Sequence, residues 1–222
     1  MSNIKRKVST KRDDPVATAP PKPVKSRGRP LSFDRDQVLE RAMYVFWQRG
    51  YEAASVTELT AAMGITAPSL YAAFGDKERL FLEAVERYAT GPGSGYPKAL
   101  EEEPTAYLAI NRLLSEAANE LTRSDHPKGC MVVMAATNCS QASAHVQETL
   151  AKRRAVADDG VRYRIESGIR NGELPTDTNA ATLANFYVTV FRGMSMQAAD
   201  GASRENLLAT AEAAMRAWPT TQ

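Results

Sequence analysis

Between Ser55 and Lys77 the chain reads SVTELTAAMGITAPSLYAAFGDK, two short helix-forming segments joined by a tight turn. No other stretch restricts the fold as much. Two helices of this length around a glycine turn form a helix-turn-helix, which lays its second helix in a DNA groove. Ser55 is placed to cap the first helix, and Glu58 three residues on completes a capping box. Leu59, Ala62 and Met63 give that helix one apolar face, and Gly64 supplies the backbone freedom that ends it. Thr66 is the cap expected for the second helix, with Pro68 in its first turn, where a missing N–H costs little. Leu70 and Phe74, four residues apart, fix this helix to a core. Thr66, Ala67, Ser69, Tyr71 and Ala72 remain for its outer side, small and hydroxyl-bearing as a surface that meets base edges would be.

The flanking segments continue the pattern. Asp34 caps a preceding helix whose Leu39, Ala42, Met43 and Phe46 recur at spacings of three and four and which ends near Gly50. After Gly75-Asp76 a fourth helix opens with Lys77 and carries Leu80, Phe81, Ala84, Val85 and Tyr88 as its inner stripe. A lysine at a helix N-terminus, among free backbone N–H groups, is suited to a phosphate.

Residues 29–88 resemble the DNA-binding domain of the TetR family of bacterial transcriptional regulators. The resemblance rests on Phe46 and Gly50-Tyr51, on Leu59 and Met63-Gly64-Ile65 around the turn, on Ser69-Leu70-Tyr71 and Phe74, and on Lys77. It implies an all-helical homodimer, a variable ligand-binding domain after the reader, and repression relieved by a small molecule. By position, Ser55, Thr57, Thr66, Ala67, Ser69, Tyr71 and Lys77 fall where this family touches operator DNA. Tyr71 also reads as a packing residue, and the two roles stay open.

Net charge is only +2, but residues 1–30 hold nine lysines and arginines against two aspartates, which puts +7 on this arm and −5 on the rest. The arm has five prolines and almost no large apolar side chains, so it is expected to be disordered. Within it Arg27-Gly28-Arg29-Pro30 is similar to the core of an AT-hook, in which Arg27 and Arg29 would lie along a narrow minor groove. The competing reading is a solubilising tail. The chain shows neither a secretory signal nor a run of about 18 apolar residues, so a cytoplasmic location is expected.

Gly91-Pro92-Gly93-Ser94-Gly95 breaks the pattern and marks a second domain; no Gly-Lys-Ser/Thr follows, so it is no phosphate loop. Beyond it the period stays helical. Helices are expected over about 104–123, with Tyr107, Ile110 and Leu114 on one side, over 143–171, with Val146, Leu150, Val161, Ile165 and Ile169 inward, from Asp177 or Thr178 to Ala199, and over 203–218. Cys130 to Thr137 reads as fully buried. Leu183, Tyr187, Val190 and Met194, with Leu207, Ala211, Ala214 and Met215, make the last two helices the expected homodimer surface. An unidentified small-molecule effector is expected among Tyr107, Asn111, Met131, Met134, Phe186, Tyr187, Phe191 and Met194, since methionine and aromatic side chains make adaptable apolar walls. Each of these also reads as ordinary core.

The cysteines offer an alternative, a redox- or copper-sensing regulator using Cys130 and Cys139. In one continuous helix nine residues rise about 13.5 Å and turn through about 900°, whereas a disulfide needs Cα atoms within about 7 Å; a bridge within the chain requires the helix to break. Cys130 with Met134 and His126 would suit copper(I). No catalytic motif is present: Gly-x-Ser-x-Gly, His-Glu-x-x-His and the dinucleotide fingerprint are all missing, and Glu101-Glu102-Glu103 reads as a solvated helix start. A DNA organiser without an effector is a further competitor, disfavoured by the large apolar second domain. The expectation is therefore an all-α regulator: an arm at 1–30, a helix-turn-helix domain at 31–90, and an effector-binding and dimerisation domain at 91–222. Neither cofactor nor metal site is expected.

Overall fold

Polar caps cut the chain into helices. Asp34 accepts the N–H groups of Asp36 and Gln37 at 3.0 and 3.2 Å and opens α1, Arg35–Ala53. Ser55 opens α2, Val56–Met63, and Thr66 opens α3, Ala67–Phe74. Asp76 accepts the Arg79 N–H at 2.8 Å and opens α4, Lys77–Thr90. There follow α5 (Gly95–Glu102), α6 (Ala106–Glu120), the single-turn α7 (Met131–Met134), α8 (Ala144–Arg170), α9 (Ala180–Ala199) and α10 (Arg204–Met215). This computed structural model describes residues 33–220, and no strand occurs among them. The arm at 1–30, with Arg27 and Arg29, lies outside the described residues.

The stripes read from α1 and α4 meet as expected: Leu39, Ala42, Met43 and Phe46 pack against Leu80, Phe81, Ala84, Val85 and Tyr88, all buried. Phe46 meets Phe81 edge-on at 5.0 Å between centroids. Arg35–Glu83 at 2.7 Å and Arg87–Glu40 at 3.3 Å tie the outer edges of the same pair. Leu59 and Met63 of α2 and Leu70 and Phe74 of α3 close this core from below. Ala62, expected on the apolar face of α2, is exposed instead.

Several details refine the sequence reading. The glycine cluster ends α4 at Thr90, as a breaker would, and the chain then turns through the 3-10 turn Pro92–Ser94 directly into α5 at Gly95. A Cβ on Gly93 would stand 2.7 Å from the Tyr88 ring, so glycine here permits close packing rather than mobility. Glu101 and Glu102 end α5 rather than starting a helix, and Glu102 and Glu103 close on Arg112, each at 3.0 Å. Asn179, not Asp177 or Thr178, caps α9, accepting the Thr182 N–H at 3.0 Å. The Cys130–Thr137 stretch is only partly interior: Cys130, Met131, Ala135 and Ala136 are buried, Val132, Val133 and Met134 are half-buried and Thr137 is exposed.

α1 does not end at Gly50 but breaks there and resumes, with Gly50 at φ 77, ψ 170. The break frees the Tyr51 N–H from the helix, and it donates instead to the Ala135 carbonyl at 2.6 Å. One turn earlier, the buried Trp47 indole donates from Nε1 to the Gly129 carbonyl at 2.9 Å. The Trp47 face stacks on His126 at 4.4 Å and its edge meets Tyr88 at 4.7 Å. The reader is thereby joined to the helical body through one continuous core.

That backbone geometry is essentially open to glycine alone, and a Cβ at Gly50 would stand 3.1 Å from the Ala135 carbonyl oxygen. Gly50→Ala is therefore expected to lose about 1–3 kcal/mol of stability, read as a lowered urea midpoint at unchanged slope.

Candidate functional site

Two features of this fold face outward for use: the reader and a cavity behind it. In α2, Ser55 is committed to its cap, accepting the Glu58 N–H at 3.0 Å. The reciprocal half of the capping box is not made, because the Glu58 carboxylate pairs with Arg49 at 3.0 Å. Thr57 is exposed one residue into the helix. In α3, Thr66 accepts the Ser69 N–H at 3.4 Å, and the two hydroxyls lie 2.9 Å apart. Leu70 and Phe74 point inward and leave Thr66, Pro68, Tyr71 and Ala72 exposed, with Ala67 and Ser69 half-covered. Tyr71 is 49% exposed, so about half of this large residue is open to a groove. Lys77 is less free. Its ammonium stands 4.5 Å above the Tyr51 ring and 3.4 Å from the Glu52 carbonyl, and burial pulls it below the ordinary lysine range.

The cavity, of about 760 Å³ and partly open to solvent, is bordered by α4, α5, α6, α8, α9 and the segment entering α7, with Tyr44 of α1 in its wall. Phe191, Leu113 and Val188 form its apolar side. Tyr96 meets Phe191 edge-on at 5.0 Å, and burial raises its hydroxyl well above the ordinary tyrosine value, so it stays a donor. The rest of the lining carries charge. Arg192 pairs with Asp158 at 2.6 Å, and Arg154 donates to the Val132 carbonyl at 2.9 Å. Arg112 lies at the edge, held by Glu102, Glu103 and Glu116. His126 presents Nδ1 to the Pro127 carbonyl at 2.9 Å and Nε2 to Glu120 at 3.1 Å.

Comparison with known proteins decides the family. The family described as bacterial regulatory proteins, tetR family, matches residues 38–84, and the tetracyclin repressor-like C-terminal domain matches residues 109–218. The transcriptional repressor ComR of Escherichia coli is 37% identical over 196 residues, which cover 88% of this chain and 93% of that one. The chain belongs to the TetR family. BdcR, another repressor of Escherichia coli, is 30% identical over 195 residues, covering 87% and 93% of the two chains. Among solved structures, a cysteine-substituted form of the TetR family regulator CifR, complexed with 26-bp double-strand operator DNA, superposes with a TM-score of 0.83. It is 46% identical and covers 86% of this chain and 100% of its own. TetR-family proteins are transcriptional regulators, not enzymes, and this chain is a helix-turn-helix DNA-binding regulator of that class.

Within this TetR-family frame the expected effector residues are not brought together. Phe191 lines the central cavity. Tyr107 and Asn111 line a separate, shallower groove with Met215 and Trp218, because Tyr107 turns outward from α6. Met131 and Met194 are fully interior, and Tyr187 is buried with its hydroxyl donating to the Ala214 carbonyl at 3.4 Å. Met134 packs beside Gly129, and Phe186 is 39% exposed on the far side of α9. The charged residues that do line the cavity left a trace in the sequence. Leu150, Arg154, Asp158, Val161 and Ile165 follow one another at spacings of three and four, so Arg154 and Asp158 interrupt an otherwise apolar inward stripe of α8.

The copper set is not assembled either. Both His126 nitrogens are engaged, and Cys130 is buried with a hydrogen bond to Tyr88, its thiol pushed up by that burial. Among the described residues no cluster of three metal-ligating side chains occurs. The helix between the cysteines does break, yet Cys139 lies beside Glu52 and Lys77 while Cys130 faces Tyr88 and Ser195, so the two thiols sit in different surroundings.

Tyr71→Ala is expected to weaken operator binding by about 1–3 kcal/mol while leaving non-specific binding nearly unchanged. Lys77→Ala is expected to weaken both and to lower the slope of log affinity against log salt by about one. Fluorescence anisotropy with operator and scrambled duplexes over a salt series measures both; an unchanged operator preference in Tyr71→Ala would remove that residue from base readout.

Proposed function

We propose that this regulator is a repressor that grips a two-fold operator as a homodimer and releases it when a small molecule enters the central cavity. The observation that carries this reading is where the cavity lies. Its wall includes Tyr44 of α1, Tyr88 of α4, and His126, Cys130, Val132 and Val133 from the segment whose carbonyls hold α1. A ligand there touches the body and the reader support at once. It shifts the equilibrium only by binding the released state more tightly than the gripping one. Suppressing operator binding 100-fold requires about 2.7 kcal/mol of such coupling.

On this reading residues 31–90 read DNA and 91–222 sense and dimerise, within the cytoplasm. Ser55, Thr57, Thr66, Ala67, Ser69, Tyr71 and Lys77 form the contact surface, and Arg27 and Arg29 of the arm reach the flanking minor groove. Half-sites about 34–36 Å apart would meet the two readers. That CifR is complexed with operator DNA at this similarity supports the assignment.

The dimer surface we propose differs from the last two helices. Leu207, Ala211, Ala214 and Met215 of α10 are buried against α6 and α9 within the subunit. Apart from Tyr71 in the reader and Tyr107 and Leu108 on α6, the exposed large apolar side chains among the described residues are Val156 and Tyr163 on α8 and Phe186 and Met196 on α9. Gly193 lies on the same outward side of α9 with open space where a Cβ would be, which suits the close approach of a second helix.

Two outcomes test these points. The double variant Phe186→Asp/Met196→Asp is expected to sediment as a monomer and to lose operator binding at least 10-fold while keeping its helical circular-dichroism signal; a dimer that persists excludes the α8–α9 surface. Titrating a labelled palindromic operator with candidate effectors at fixed salt is expected to reveal compounds that release it. Trp47→Phe, which keeps the stacking and loses the indole donor, is expected to reduce that response severalfold. Operator affinity indifferent to every compound would remove the sensing role.

A further inference from the structure

We infer that the effector is an organic anion, a carboxylate on an apolar body, whose charged end is received by Arg154. The inference rests on the cavity being the effector site. Charge arithmetic inside the cavity carries it. On its polar wall two guanidinium groups, Arg154 and Arg192, share one carboxylate, Asp158, which Arg192 holds at 2.6 Å. Among the described residues Arg154 makes no ion pair, and its one hydrogen bond goes to a neutral backbone carbonyl. Whichever guanidinium Asp158 faces, one positive charge on this wall is left over. Of the other cations of the lining, Arg112 is held by three glutamates, Arg153 by Glu86 and Arg123 by Glu120 and Asp125, while Lys98, exposed and in no ion pair among the described residues, only adds to the positive side.

The surplus charge costs stability as it stands. Burial and the neighbouring Arg192 both pull Arg154 below the ordinary arginine range, so the protein gains by receiving an anion there. A guanidinium with free N–H groups matches the two oxygens of a carboxylate in a fork. Tyr96, close to Asp158 and Arg192, supplies a neutral O–H donor beside them. Phe191, Leu113 and Val188 of the same lining offer an apolar body nothing but dispersion and burial. A neutral ligand would leave the extra charge unpaired, and a cation would be repelled.

Matched acid and amide pairs, benzoate with benzamide and octanoate with octanamide, are titrated calorimetrically into the full-length chain. The acids are expected to bind about 10- to 100-fold more tightly than their amides. The preference is expected to collapse in Arg154→Gln and to be intermediate in Arg154→Lys, which keeps the charge without the fork. The acid-to-amide ratio is an internal control, since general loosening of the fold weakens both members alike. Equal binding of acid and amide, no binding of either acid, or an acid preference surviving Arg154→Gln would overturn the assignment. Ala157→Trp, which fills the cavity, separates this failure from that of the site itself. Neutral compounds that release operator from the native chain but not from Ala157→Trp would keep the cavity as the effector site and remove the anion. Release that survives the filling would remove both.

Discussion

A glycine that interrupts a helix holds this molecule together as a regulator. Had α1 continued through Gly50, the Tyr51 N–H would have been used up within the helix. At φ 77 and ψ 170 it is turned out, and the Ala135 carbonyl receives it. Trp47 adds a second donor one turn away, to Gly129. Both acceptors are backbone carbonyls flanking α7, and only the Trp47 donor is a side chain. The contact is buried, and leaving either group unpaired costs about 1–3 kcal/mol. The reader is thus tied to a short, irregular segment that also forms part of the cavity wall.

The same segment is held from the other side. The Cys130 N–H donates to the Ser195 hydroxyl of α9 at 2.8 Å, and Arg154 of α8 donates to Val132 at 2.9 Å. Ser195 is the buried polar residue of α9, and this bond accounts for its place in the core. Four polar contacts, two toward the reader and two toward the body, therefore converge on the stretch from Gly129 to Ala135. An anion drawing on Arg154 acts on the group that makes one of them. Ligand chemistry and the mechanical link share an atom group, so no long chain of intermediates is needed.

How much of this is legible in the sequence depends on whether the signal is local. Caps and stripes are local, and Asp34, Ser55, Thr66, Phe46, Leu70, Phe74 and the α4 stripe all sit where spacing places them. The reader, the family and the all-helical class follow from such patterns. The cavity is not local. Its charged residues come from three helices, Arg112 from α6, Arg154 and Asp158 from α8 and Arg192 from α9, while the methionines and tyrosines expected to hold a ligand fill the core or lie at the surface. Glycine misleads for a similar reason. Gly91 to Gly95 reads as a breaker cluster by composition, yet Gly93 is small because the Tyr88 ring lies against it. Only the inward break at Arg154 and Asp158 in the α8 stripe announces the cavity in one dimension.

The geometry of the reader sets how a disturbance at α7 can act. The α2–α3 pair is suspended between the end of α1 and the start of α4, and both attachment points meet at one place. Tyr51, two residues before α1 ends, carries the Lys77 ammonium above its ring, and Lys77 is the first residue of α4. Because Tyr51 is also the residue bonded to Ala135, a shift of that carbonyl moves both ends of the reader together. The expected motion is then a tilt of an intact unit, with Leu59, Leu70 and Phe74 still packed, rather than melting of the recognition helix. The energy scale is consistent. A 100-fold change in operator affinity is about 2.7 kcal/mol, and the net value of a hydrogen bond is about 0.5–1.5 kcal/mol. Weakening the two bonds that hold α1 is thus enough to supply most of that difference without breaking the core, which is why a small ligand far from the DNA can decide whether both readers reach their half-sites.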